Sequence, residues 1–304
     1  MPPVFVSICI PTCNRPDLLK EAVESCLAQS VSPAEILIGD DSSSDETEEL
    51  IKCLRGANTI PINHCRNTPR LGQAQNTNSL YQRAAGSHLI LLHDDDLLLP
   101  NAVADLSACW ELYPDLTAAF GKQYVISHDG VLDYSGSESL NRDYFRTDDR
   151  EGLQPAAWKC GLLRQFPNNG FMVTTAAARA VLWRPESGDG GDFDFGLRLG
   201  LAYEKFYFLN RYVSKYRLTK GAISSGGNSD AALQAYRIIQ SIALPDGAEP
   251  LRKQQLAKMA PGAMMQAIRD GHKREAWDIY CSENHGWGRR FSPGGMHRLA
   301  RLLF

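Results

Sequence analysis

Apolar and polar positions follow two alternating rhythms along the first 115 residues of this chain. Val4–Ile10 is a nearly unbroken apolar run rich in Val and Ile, the pattern of a strand buried on both faces of a parallel sheet. Pro16 then stands where a first helical turn begins, and Leu18, Leu19, Ala22, Val23, Cys26 and Leu27 recur with helical period. Further strands are expected at Glu35–Gly39, Ile60–His64 and His88–His93. Helices are expected after Asp45, where Asp45-x-x-Glu48 reads as a loose capping pattern, over Gly72–Ala85, and from Pro100 to Tyr113. Strand and helix thus alternate four times. That order predicts an α/β fold with a mainly parallel, Rossmann-like sheet flanked by helices. In such sheets ligands bind beyond the carboxyl ends of the strands, so the polar tips after Ile10, Gly39 and His93 are expected to meet in one cleft.

The second half is less periodic. Tyr124–Ile126 and Val131–Tyr134, joined by His128-Asp129-Gly130, read as a hairpin. Ser224–Ser229 is rich in Gly and Ser and reads as a loop, placed as a lid over the cleft. From Ala231 onward the pattern is helical, with Gly271, Ala276 and Trp277 read as packing residues. A main domain over 1–230 with a helical region over 231–304 is therefore expected. After Glu283 the chain carries Arg289, Arg290, His297, Arg298 and Arg301 with no acid, interleaved with Phe291, Leu299, Leu302, Leu303 and Phe304. Such a basic amphipathic tail suits an anionic membrane surface, a helix packed on its own domain, or a homodimer contact.

Composition narrows the classes. With 304 residues, 43% hydrophobic and 22% charged, the chain has material for a sizeable core. A formal net charge of −3 gives no drive toward nucleic acid. No apolar run approaches the ~20 residues of a spanning helix, and Val4–Ile10 has no basic segment before it, so a soluble, cytoplasmic protein is expected. The eight cysteines stand singly without a C-x-x-C pair, as buried thiols in a reducing compartment do.

The chemistry lies at the strand tips. The first loop, Pro11-Thr12-Cys13-Asn14-Arg15-Pro16, lacks the G-x-G-x-x-G of a dinucleotide site, and no G-x-x-x-x-G-K-[ST] follows any strand. What remains is acidic: Asp40-Asp41 after the second strand and Asp94-Asp95-Asp96 after the fourth. Adjacent carboxylates raise each other's pKa unless a cation neutralises them, and a hard divalent ion with oxygen ligands is the natural partner. The bland reading of the same residues is capping at a helix start.

The order Val6-Ser7-Ile8-Cys9-Ile10-Pro11-Thr12-Cys13-Asn14-Arg15-Pro16, then Gly39-Asp40-Asp41-Ser42-Ser43-Ser44-Asp45, then Leu91-Leu92-His93-Asp94-Asp95-Asp96 closing on Pro100, resembles glycosyltransferase family 2. The resemblance covers the first two-fifths of the chain. It implies the GT-A fold and inverting transfer of a sugar from a nucleotide-diphosphate donor, with a UDP-sugar as first choice. The acceptor would be the hydroxyl of a bacterial glycan or lipid-linked glycoconjugate. By position, Pro11, Thr12 and Asn14 would cradle the nucleotide, and Asp41 with Asp40 would bind the base. Asn67, Arg70, Gly72 and Asn78 match the stretch flanking the nucleotide, with Thr77 where the family carries Arg. Asp94-x-Asp96 satisfies D-x-D literally, whereas counting back from Pro100 puts that motif on His93 and Asp95. The second count puts Asp94 on the ribose and makes Asp95 the ligand of Mn²⁺ or Mg²⁺, with Asp94 and Asp96 as helpers.

The resemblance also implies a general base in an acidic pair before an apolar helix. Gly190-Gly191-Asp192-Phe193-Asp194 matches that stretch with Gly191 in place of the first acid, which aligns Asp192 with the base. Nucleotide binding would then occupy 1–115 and the acceptor side 116–230. Tyr216-Arg217-Leu218-Thr219 aligns with a stretch that often carries a metal-binding His, here Thr219. The departures at His93, Gly191 and Thr219 leave an inactive nucleotide-sugar-binding scaffold as the alternative. A sugar nucleotidyltransferase is disfavoured, because no Gly-rich, Arg-containing loop follows the first strand.

Overall fold

The structure, a computed structural model, describes residues 4–219 and 230–303. The Ser224–Ser229 loop and Phe304 lie outside the described residues. In chain order the first half runs β1 (Val6–Thr12), α1 (Pro16–Leu27), β2 (Glu35–Asp40), α2 (Glu46–Gly56), β3 (Ile62–Arg66), α3 (Gln73–Arg83), β4 (His88–Leu91), β5 (Leu97–Leu98) and α4 (Ala102–Leu112). Next come β6 (Ala118–Ile126), β7 (Leu132–Asp133), α5 (Tyr134–Asp143), β8 (Gly152–Leu153), α6 (Ala157–Leu162), β9 (Met172–Thr174), α7 (Thr175–Val181), α8 (Gly191–Ala202) and β10 (Phe206–Arg217). The remainder is helical: α9 (Ala231–Ser241), α10 (Glu249–Arg269), α11 (Lys273–Cys281), α12 (Trp287–Arg290) and α13 (Pro293–Leu303).

Among the described residues ten strands form one sheet, in the order β3-β2-β1-β4-β9-β6-β10-β5, with β7 on β6 and β8 on β10. The expected parallel order holds for β3, β2, β1 and β4, and β6 runs parallel to β10. The other pairings are antiparallel, through β9, β5, β7 and β8. These strands are two or three residues long, too short to leave a period of two in the sequence. The expected hairpin is present, with Val125 opposite Asp133 and Gly130 at φ 81° in its turn.

Strand alternation explains why β1, β2 and β4 read as continuous apolar runs. Ile8, Ile10, Ile36 and Ile38 point to one face and pack with Leu19, Val23 and Cys26 of α1. Cys9, Leu37, Leu89 and Leu91 point to the other and pack with Leu80 and Tyr81 of α3 and Phe195 and Leu199 of α8. Each such side chain contributes about 1.5–3 kcal/mol by leaving water. Parallel strands covered on both sides have only their ends for polar work.

All eight cysteines are free thiols. Burial pushes Cys26, Cys109 and Cys160 up to about 12, which leaves them inert packing groups. Asp45 precedes α2 but makes no cap; Arg66 of β3 takes its carboxylate instead. No helix of the described residues is long and apolar enough to cross a membrane.

Two compact units divide the described residues: 4–185 with 195–219, and 186–194 with 230–303. In the second, α9 and α10 pack through Leu233, Tyr236, Leu256 and Met264. Ala276 of α11 is fully buried, whereas Trp277, expected to pack, is 44% exposed. Helix α13 buries only Gly295 and Leu302.

Candidate active site

The tips of β2, β1 and β4 meet because the ladder continues past the strands. The Asp41 N–H donates to the Thr12 carbonyl at 3.0 Å, and the Leu92 N–H donates to the Cys9 carbonyl at 3.0 Å. Asp41, Thr12 and Asp94 are thereby brought to one edge of the sheet. The Thr12 hydroxyl donates to Asp94 at 2.8 Å. Arg15, at the start of α1, reaches Asp94 at 3.4 Å and Asp95 at 3.2 Å.

Asp40 and Asp41 are neighbours with different work. Asp40 is fully buried, bonded to His64 of β3 at 2.9 Å and accepting the Ser42 N–H at 2.8 Å. Burial pushes its carboxyl up, but the bonds from His64 and Ser42 outweigh that and hold it below the usual range. Asp40 is thus a structural anchor and not the base contact expected of it. Asp41 accepts from Asn67 Nδ2 at 2.8 Å, the Leu71 N–H at 3.1 Å and the Gly72 N–H at 2.8 Å. It fixes the 67–72 loop at the tip of β2.

Asn14 takes φ 55°, a left-handed conformation Asn tolerates, and its amide oxygen accepts the Ser43 N–H at 2.8 Å. It ties the first loop to the second. Arg70 donates to the Asp41 carbonyl and to the Cys13 thiol. Pro11 lies half-buried in β1 opposite Gly39.

Asn78 corrects the expectation for the flanking stretch. Its Nδ2 donates to the Trp183 carbonyl at 2.9 Å and its Oδ1 accepts the Trp183 N–H at 2.7 Å. Both ends of the amide are engaged in holding the fold. Asn76 faces the site instead, donating to the Gly39 carbonyl at 2.8 Å and accepting from Asn67 at 3.0 Å. Two helical positions differ by about 200° around the axis, so only one of the two can face β2. A Cβ on Gly39 would stand 2.1 Å from Asn76 Oδ1, so this approach requires glycine.

The acidic triplet divides by partner. Asp94 is held by Thr12 and Arg15, while Asp96 accepts the Arg217 N–H at 2.7 Å and Asn169 Nδ2 at 2.6 Å. Burial pushes the carboxyls of Asp94 and Asp96 above the ordinary aspartate value, and the charge of Asp95 adds to it. Arg15 and Thr12 oppose the rise at Asp94 without cancelling it. His93, Asp95 and Asp96 each bring a donor atom within 4.8 Å of the others. His93 Nε2 is buried with no hydrogen-bond partner. His93 Nδ1 stands 3.9 Å from Asp96 Oδ2, and an imidazole beside two carboxylates fits a divalent ion that accepts mixed nitrogen and oxygen ligands.

The sequence reading took His93 as a lost acid, whereas its side chain belongs to the cluster. Arg15, Asn76, Asn169 and Arg217 had no signal as site residues beyond their residue types. Arg217 also donates to the Asp95 and His128 carbonyls and pairs with Glu21 at 2.5 Å, clamping the triplet from β10. Thr219 is buried just beyond β10.

Asp192 lies in the second unit, half-buried in the first turn of α8, with its Oδ1 accepting the Phe193 N–H at 2.7 Å. Asp194, two residues on, is fully buried.

The chain has recognisable kin. At 32% identity over 101 residues, 33% of each chain, it is similar to the GalNAc(5)-diNAcBac-PP-undecaprenol beta-1,3-glucosyltransferase of Campylobacter jejuni. Matches to the first curated relatives span 33% to 43% of their own lengths. In fold it is similar to residues 1–349 of Staphylococcus aureus TarS, solved with UDP-GlcNAc. That likeness has a TM-score of 0.63 at 15% identity, over 98% of this chain and 80% of that one. The mannosyltransferase PcManGT of Pyrobaculum calidifontis, solved with GDP-Man and Mn²⁺, gives a TM-score of 0.61 at 13% identity over 99% and 88%. These likenesses establish a GT-A architecture. The model of the glycosyl transferase family 2 matches residues 7–167, more than half of the chain, and spans the tips of β1, β2 and β4. With that match, and with Thr12, Asp41 and the Asp94–Asp96 triplet gathered at one edge of a parallel sheet, the chain belongs to glycosyl transferase family 2.

Proposed function

We propose that the chain transfers a sugar from a nucleotide-diphosphate sugar, UDP-linked for preference, to an acceptor hydroxyl with inversion, in bacterial glycan or glycoconjugate assembly. The observation that carries this reading is the meeting of Thr12, Asp41 and the His93–Asp96 cluster at the carboxyl ends of three adjacent parallel strands. The family match and the nucleotide-sugar-bound neighbours support it.

In this reading Asp41 and the loop it holds receive the base, and Thr12 sets the Asp94 carboxylate toward the ribose. His93, Asp95 and Asp96 hold the divalent ion. That ion, when bound, neutralises charge on the departing diphosphate. Asp192 accepts the proton of the attacking hydroxyl, as a half-buried carboxylate in the first turn of a helix can. Residues 1–115 serve the donor, 116–230 the acceptor and 231–304 the helical region. A lipid-linked acceptor fits the named substrate of the Campylobacter relative. The acid-free stretch after Glu283, with Phe291, Met296 and Leu303 each at least half exposed, would meet an anionic membrane surface there.

A thermal-shift panel of UDP-, GDP- and dTDP-sugars with and without Mn²⁺ tests the reading. A ligand at about 100 times its Kd adds ~2.7 kcal/mol of stability, so a cognate donor should raise Tm by several degrees, and more with Mn²⁺. A panel without any shift overturns it.

A further inference from the structure

A cleft of about 420 Å³ opens on the first unit between β6, β10, α5 and the 146–149 loop, away from the strand tips described above. The volume falls in the range of about 300–1,000 Å³ typical of small-ligand sites. Tyr212 of β10 forms part of its wall and stacks on Tyr124 of β6, ring centroids 3.8 Å apart at an interplanar angle of 5°. Tyr134, 68% exposed, meets Tyr124 edge-on at 6.5 Å. Lys122 Nζ lies 5.9 Å from the Tyr212 centroid.

The charges around this wall balance. Lys122, Arg142 and Arg146 face the cleft with Glu138, Asp148 and Asp149. A balanced set gives no net attraction for a phosphate or a polyanion, but it offers donors and acceptors side by side. A polyhydroxylated ring uses both, and its C–H groups pack against an aromatic edge such as that of Tyr212, whose faces carry Tyr124 and Lys122. We infer that this cleft is a saccharide subsite, which holds a neutral sugar unit of the acceptor glycan at a distance from the reacting hydroxyl. The inference rests on the glycosyl-transfer reading above.

Its floor is built for a fixed position. Arg146 is only 3% exposed, yet no carboxylate among the described residues pairs with it. It donates to the Gln165 carbonyl at 2.8 Å and to Gln123 Oε1 at 2.8 Å. Asn141 bonds the Gln123 backbone in both directions, its Nδ2 donating at 2.9 Å and its Oδ1 accepting at 3.1 Å. Gln123 Nε2 in turn donates to the Asn169 carbonyl at 3.3 Å, and Asn169 Nδ2 holds Asp96. The cleft floor and the metal-side carboxylate therefore share one buried network. Strand β10 gives the scale: Tyr212 and Arg217, which binds Asp96, pair with Lys122 and Ile126 of β6 across a bulge, so they lie four ladder steps, or roughly 13 Å, apart. That is the length of a few sugar units, so a glycan seated at Tyr212 extends toward the site.

The test uses the full chain on immobilised neutral oligosaccharides of hexose and N-acetylhexosamine, beside sulfated and uronic-acid oligosaccharides. Retention of at least one neutral oligosaccharide, competed by the same sugar in solution, is expected. Tyr212→Ala should weaken that retention about tenfold, while Tyr212→Phe keeps the ring and stays within about threefold. Arg142→Ala, on the exposed side of α5, supplies a second variant and should weaken it severalfold. UDP affinity, measured on the same proteins, should stay within about twofold of the parent and shows that each is folded. Retention of charged oligosaccharides alone, retention of none, or undiminished retention by both Tyr212→Ala and Arg142→Ala overturns the subsite. If neutral glycans are retained but no nucleotide binds, the subsite stands and the donor reading fails; the reverse pattern sinks the subsite alone.

Discussion

The Thr12 hydroxyl donates to the Asp94 carboxylate at 2.8 Å across the β1–β4 pair. One short side chain thereby orients the first acid of the triplet, and Arg15 balances the charge from the other side. Arg15 also reaches Asp95 at 3.2 Å, while Asp96 is held by the clamp from β10 and approached by His93. This division of labour sets what each substitution should do.

Metal binding should depend on Asp95 and His93. The chain should bind UDP more tightly with Mn²⁺ than with EDTA, and Asp95→Ala should abolish the difference. His93→Ala should weaken Mn²⁺ binding by roughly an order of magnitude while the fold stays intact, because the imidazole makes no hydrogen bond through Nε2 and only a 3.9 Å approach to Asp96 through Nδ1. Calorimetry giving equal UDP affinity with and without the ion would refute the site.

Metal affinity should also rise with pH. The carboxyls of Asp94 and Asp96 sit above the 3.8 of a free aspartate, so they carry protons where an ordinary aspartate has lost them. A cation at Asp96 must displace that residue's proton, and the proton competes less as pH climbs through the raised value. Without metal the sign for stability is reversed: the fold favours the protonated acids, so raising pH beyond 3.8 costs stability until the folded-state values are passed. Titrations in two buffers of different protonation enthalpy should reveal proton release on Mn²⁺ binding, and its absence would contradict this account.

Asp41→Ala should weaken UDP binding by on the order of 1.5–3 kcal/mol, the cost of losing a charged hydrogen-bond acceptor. Asp41→Asn should fare little better, since its amide turns an N–H₂ toward the donors of Gly72 or of Asn67 and Leu71. Parental affinity in both variants would reduce Asp41 to a loop anchor.

Asn78→Ala should act on stability and leave the ligand alone. Two hydrogen bonds to the Trp183 backbone are lost, about 1–3 kcal/mol together, and Tm should fall accordingly. UDP affinity at a temperature where the variant is folded should match the parent. A selective loss of nucleotide binding with unchanged Tm would restore Asn78 to the donor site.

Asp192→Asn keeps the size of the side chain and removes its capacity to take a proton. Transfer should fall in kcat by roughly 10²–10⁴, with UDP-sugar affinity little changed. Asp194 makes a poor comparison because it is fully buried, and its substitution should show first as a loss of Tm. Near-parental turnover by Asp192→Asn would remove it from the reaction.

What the sequence by itself determined is local and periodic. Apolar runs bounded by Pro and by acids marked β1, β2 and β4, because a strand buried on both faces is apolar over nearly all its length before its tip. The order of those tips by itself brings Thr12, Asp41 and Asp94–Asp96 to one edge of the sheet. Which oxygen atoms face a ligand was decided only by the tertiary structure. Asp40 and Asp41 are adjacent and identical, yet His64 of β3 takes the first and the Asn67–Gly72 loop surrounds the second. Asn76 and Asn78 are two residues apart on α3, and the turn of the helix sends one to Gly39 and the other to Trp183. Asp96 owes its geometry to Arg217, 121 residues away. Periodicity records which face of an element is buried, whereas a carboxylate's role depends on donors that only long-range packing brings within 3 Å of it.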